Sequence, residues 1–151
     1  MDISSLSSQR LFRPGSSLNG CSAVERLSID FLINECSLLD ALVSAAGGHS
    51  DFMGCFVKGF TESNSVSKSR LLLREHTEIE SDRVLLYMCP ECGDMGCGAY
   101  SVCVRQSDEC FTWALFAYEN GYEEPQIIAG IGPFIFERYA YEAAIEDMIV
   151  L

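Results

Sequence analysis

Residues 84–118, VLLYMCPECGDMGCGAYSVCVRQSDECFTWALFAY, hold three apolar runs of strand length separated by polar or glycine-rich breaks. Residues 84–89 form a continuous apolar run, residues 99–104 and 110–118 follow as β-type segments, and residues 106–109 supply the turn between the last two. In residues 110–118 strict alternation places Phe111, Trp113, Leu115 and Ala117 on one face and Thr112, Ala114, Phe116 and Tyr118 on the other. Both faces are largely apolar, so this strand is expected to be covered on both sides and central in its sheet.

Upstream, residues 26–33 (RLSIDFLI) alternate Leu27, Ile29, Phe31 and Ile33 on one face, which is a strand signal. A turn at residues 34–36 leads to Ser37, placed to cap a short helix whose apolar stripe carries Leu38, Leu39, Leu42 and Val43 and which ends at Gly47-Gly48. Residues 51–60 read as a short or bulged strand, and the polar residues 61–69 as either a loop or the start of a helix. Downstream, residues 127–136 carry a Gly-Ile-Gly-Pro interruption that fits a short strand and a bend. Ala140, Tyr141, Ala144, Ile145 and Met148 then recur at helical spacing. The expected fold is α+β: a single antiparallel or mixed sheet of about five to six strands, with a helix after the first strand and a C-terminal helix packed on it. Residues 1–20, rich in Ser with Pro14, Gly15 and Gly20, read as a flexible arm, and residues 21–151 as a single domain.

Charge is distributed unevenly. Residues 1–74 hold seven acids and seven bases, whereas residues 75–151 hold fifteen acids against Arg83, Arg105 and Arg138, so the second half accounts for the whole net charge of −12. Such a surface repels nucleic acid and anionic membrane, and a basic protein is its natural complement. The acids past position 74 are expected to gather into one continuous negative face. No run approaches the ~18 apolar residues of a membrane span. The N-terminal sequence lacks a secretory h-region, so a cytoplasmic protein with reduced thiols is expected.

Cys89-Pro90-Glu91-Cys92-Gly93 is a C-P-x-C-G knuckle, in which two thiolates converge while the glycine permits a tight turn. It is half of a tetrahedral zinc site, and Cys97 is the nearest candidate third ligand to Cys89 and Cys92, with Cys103, Cys110, Asp94 and His76 as further donors. A redox role needs a thiolate at a helix N-terminus, and Gly-Asp-Met-Gly-Cys-Gly is a poor helix start. An unligated tight loop between two strands is the third reading. The order of VLLYMCPECGDMGCGAYSV, the Trp-containing strand, Tyr118-Glu119-Asn120, Gly-Pro-Phe-x-Phe and a Tyr-Glu-Ala-Ala helix resembles a family of small acidic bacterial proteins with a C-P-E-C-G-D-x-G-C-G-A core, over approximately residues 20–149. The resemblance implies a bacterial, cytosolic, single-domain protein and accords with a toxin-immunity role, and it carries over no catalytic residue.

No catalytic constellation assembles from the sequence. His49, in Gly-Gly-His-Ser-Asp, has no nucleophile elbow or cysteine signature beside it and reads as a loop histidine, His76 between Glu75 and Glu78 reads as an exposed residue among acids, and Gly130-Ile131-Gly132-Pro133 is no dinucleotide fingerprint. No cofactor is expected beyond a structural zinc. Tyr118, Glu119, Tyr122, Glu123 and Glu124, around an Asn120-Gly121 turn, mix amphipathic rings with carboxylates and form the candidate partner-binding segment. The expected function is non-catalytic: an immunity-type inhibitor that neutralises a basic, nuclease-like toxin domain. A zinc-supported or thiol-redox module built on residues 89–97 is the alternative.

Overall fold

A computed structural model describes residues 2–13, 26–74, 83–90 and 98–148. In chain order, β1 (Ile3–Ser4) and β2 (Leu6–Arg13) lead to β3 (Arg26–Ile33), β4 (Cys36–Ser37) and α1 (Leu38–Ala46). β5 (Met53–Gly54) precedes α2 (Thr61–Leu71), and β6 (Val84–Met88), β7 (Ala99–Gln106) and β8 (Cys110–Glu119) form an antiparallel meander. β9 (Gln126–Ile127), β10 (Phe134–Glu137) and α3 (Arg138–Met148) complete the described elements. The fold is α+β, as its sequence implies.

The larger sheet runs β1-β10-β8-β7-β6-β5, with β9 also on β8, and β2-β3-β4 form a second sheet. All strand pairs are antiparallel except β1 on β10. The two sheets are tied at both flanks: β1 continues through Ser5 into β2, and Ser28 of β3 bridges to Val57 just past β5. The sheet therefore curls around its core. At the centre, the Phe31 ring meets Phe56, Tyr87 and Trp113 edge-on, with centroids 6.3, 5.7 and 5.4 Å away.

Buried polar groups fix the crossings between layers. Asp30 of β3, 2% exposed, accepts from Tyr87 Oη at 2.6 Å, from Gln9 Nε2 at 3.1 Å and from the Leu39 amide at 3.3 Å, which joins β6, β2 and α1 to one carboxylate. α1 starts where Ser37 Oγ accepts from the Asp40 amide and ends at Gly47, whose φ of 88° suits a residue without Cβ. Residues 61–69, ambiguous in sequence, belong to α2. Its Asn64 carboxamide both donates to and accepts from the Val57 backbone at 2.8 Å, so a polar helix is docked by a side chain that imitates a strand partner. α3 buries Tyr141, Ile145 and Met148; Tyr141 Oη donates to Leu71 O at 2.6 Å and accepts from Trp113 Nε1 at 3.1 Å.

Two sequence expectations are revised. Leu6–Arg13, read as part of a flexible arm, is a strand paired with β3 along its whole length, from Leu6 opposite Ile33 to Arg13 opposite Arg26. Residues 14–20 of that arm lie outside the described residues. The strand lacks apolar alternation because main-chain pairing holds it, with Arg13 clamping residues 50–52 by donating from Nη2 to Phe52 O at 2.8 Å. In β8, the alternation breaks at a bulge: Ala114 pairs with Cys103 and Ala117 with Ser101, so Leu115 and Phe116 both stand opposite Val102. Phe116 thereby joins Phe111 and Trp113 in the core, and Leu115, at φ 55°, is left 58% exposed. Among the described residues, no helix is long and apolar enough to cross a membrane.

Candidate functional site

β8 and β9 are the arms of a hairpin, with Ala117 opposite Ile127 and Tyr118 opposite Gln126, and residues 120–125 form its tip. The tip is fixed by its own side chains. Asn120 Oδ1 accepts from the amides of Tyr122 and Glu123 at 3.0 and 3.1 Å, Gly121 takes the left-handed conformation at φ 80°, and Gln126 Nε2 donates to Glu123 Oε2 at 3.2 Å. This geometry holds Tyr122 at 84% exposure beside the exposed Glu123 and Glu124.

The five predicted partner-binding residues do not share one surface. Tyr122, Glu123 and Glu124 stand out from the tip, but Glu119 is only 6% exposed, with Oε2 3.9 Å from Arg83 Nε. The guanidinium also donates to Ser101 Oγ at 3.2 Å, and burial lowers the proton affinity of Arg83 against the opposing pull of Glu119. Glu119 therefore belongs to a buried ionic contact. Tyr118 turns inward, half-buried, and stacks on His49 with centroids 4.7 Å apart and planes at 13°. His49 stacks in turn on Phe52 at 4.8 Å and meets Tyr100 edge-on at 6.0 Å, so this loop histidine has aromatic partners. The sheet covers residues 116–119 at the end of β8, and side chains emerge into solvent again only at the turn.

The acids past position 74 do not form one continuous face among the described residues. Glu146 lies 3.0 Å from Lys68 Nζ and 3.6 Å from Arg74 Nη1, and Glu142 lies 3.6 Å from Arg138 Nε. The Lys68 hydrogen bond, reinforced by Arg74, holds the Glu146 carboxyl below its ordinary range. Asp108 and Glu109 precede β8 and Glu123 and Glu124 follow it, which separates the two acidic pairs by roughly 30 Å at the usual strand rise. Glu75, Glu78, Glu80, Asp82, Glu91 and Asp94 lie outside the described residues.

Of the predicted zinc ligands, Cys89 is half-buried directly after β6, while Cys92 and Cys97 lie outside the described residues, as does His76. Met88 pairs with Ala99, so Cys89 and Gly98, which bracket the motif, follow from adjacent strand ends. Gly98 has φ 101°, and a Cβ there would come within 2.5 Å of Tyr118 Oη. Among the described residues, no group of three or more His, Cys, Asp or Glu side chains is arranged to hold a metal ion. Cys55 is a core thiol whose pKa burial raises to about 12, which makes it inert as a nucleophile.

Comparison with protein-family models, curated proteins and solved structures finds no match for this chain. The site therefore stands on its geometry. Sequence reading found the tip through its Asn-Gly turn and missed Leu115 and Ile127, which the hairpin exposes at 58% and 55%. No periodic signal marks Leu115, because the bulge that turns it outward depends on its pairing with β7.

Proposed function

We propose that this protein is a non-catalytic binding protein whose β8–β9 hairpin tip engages a basic protein, as an immunity-type inhibitor of a nuclease-like toxin domain. The observation that carries the reading is the pre-ordered tip, which presents Tyr122, Glu123 and Glu124 to solvent on a turn fixed by Asn120. A rigid tyrosine supplies contact area at little entropic cost, and fixed carboxylates steer a cationic partner. A nuclease surface is basic because it binds phosphates, so it already favours anionic ligands. Steering falls to this local tip, since the described acids elsewhere are dispersed or paired.

The test is association kinetics with basic, nuclease-like toxin domains. Glu123→Lys with Glu124→Lys should slow association about tenfold at low salt, with the difference shrinking as salt rises. Asp108→Lys, at the other end of β8, is the control. An unchanged on-rate for the double variant rules the tip out.

The adjacent strand ends at Cys89 and Gly98 support a second reading, a zinc-supported or thiol-active loop. Protein prepared without chelator should then hold stoichiometric zinc that Cys89→Ser releases. Folded, metal-free protein overturns the zinc form, and absence of a thiol with depressed pKa in alkylation against pH overturns the redox form.

A further inference from the structure

The hairpin carries apolar as well as acidic side chains toward solvent. Leu115 is 58% exposed and Ile127 55%, and Ile127 stands opposite Ala117, two residues past Leu115 across the β8 bulge. Tyr122 crowns the same hairpin. Leu115 also adopts φ 55°, a conformation that local folding alone would assign to Gly or Asn. Most of its side chain lies outside the core, so packing does not account for a leucine there. Exposed apolar residues on the arms of a hairpin whose tip is a pre-ordered acidic turn are a feature of interaction surfaces.

Building on the proposed function, we infer that the β8–β9 hairpin docks a cationic amphipathic segment of a partner protein, with Leu115, Ile127 and Tyr122 receiving its apolar side chains and Glu123 and Glu124 its Lys or Arg residues. Charge complementarity selects this occupant. Nucleic acid is repelled by the tip carboxylates, a simple polycation has no use for leucine and isoleucine, and a second copy would bring the same acids against one another.

Two fluorescent probes separate the contributions: an amphipathic Leu/Lys peptide and an oligolysine of equal charge, titrated by anisotropy into the full chain at low salt. The amphipathic peptide should bind about tenfold tighter, the effect of one partly buried leucine-sized contact. Leu115→Gly and Ile127→Thr should each erase most of that advantage. Leu115→Gly tests this cleanly because glycine accepts the left-handed backbone, so its Tm should equal or exceed that of the parent. Equal binding of both probes, or an advantage that survives both substitutions, overturns the docking surface and leaves the acidic tip intact. Failure of both probes to bind, or binding indifferent to Glu123→Lys with Glu124→Lys, overturns the tip together with it.

Discussion

The Tyr87 hydroxyl donates to Asp30 Oδ1 at 2.6 Å and accepts from the Phe31 amide at 3.0 Å, all within the core. Tyr87→Phe keeps the ring but removes the Phe31 amide's buried side-chain acceptor and one of the donors to Asp30, which keeps Gln9 and the Leu39 amide, so it should cost about 1–3 kcal/mol, measured by urea denaturation. Burial first, and then the Asp30 charge, raise the Tyr87 pKa well above its ordinary value. The folded state therefore keeps a proton that the unfolded chain releases near pH ~10, and stability is fully present below that pH and falls above it. The loss should be shallower in Tyr87→Phe, with Tyr100, also raised by burial, retaining part of the slope. At this scale sequence reading had mixed success. Ser37 was legible as a cap because capping depends on neighbours a few residues away, whereas the burial of Glu119 depends on Arg83 across the sheet.

β3 and β5 cross so closely that a Cβ on Gly54 would lie 1.9 Å from the Ile29 carbonyl oxygen. The clash is with backbone that cannot swing away, so Gly54→Ala should cost about 3 kcal/mol or more and lower the urea midpoint accordingly. An unaltered midpoint would mean that the crossing is looser than described. The β8 bulge makes a complementary case. Leu115→Gly should stabilise the fold by about 0.5–1 kcal/mol by relieving a left-handed leucine, which thermal or urea unfolding would register. Strands with apolar runs, β3, β6, β7 and β8, were readable as elements. β2 was hidden because Ser7, Ser8, Gln9 and Arg10 are exposed and its place is set by main-chain hydrogen bonds to β3, and α2 was ambiguous because it buries only Asn64 and Leu71.

Across the whole molecule, the net charge of −12 does not act as one field over the described surface: Glu119, Glu142 and Glu146 each face cations. Binding to a basic partner should therefore depend on a few positions. Charge reversal at the tip should change the on-rate several-fold more than reversal at Asp108, in stopped-flow association over a range of salt. The α+β class, the central place of residues 110–118, the two apolar-faced helices and the Asn-Gly turn are legible along the chain, because periodicity and capping are local consequences of side-chain chemistry. Long-range pairing, by contrast, sets an N-terminal strand against β3, sends Leu115 outward and Phe116 inward at a bulge, and leaves Glu123 and Glu124 exposed at the hairpin tip. Those outcomes depend on residues distant in the chain meeting across the curled sheet, where pairing register and burial, rather than local propensity, fix which way each side chain points.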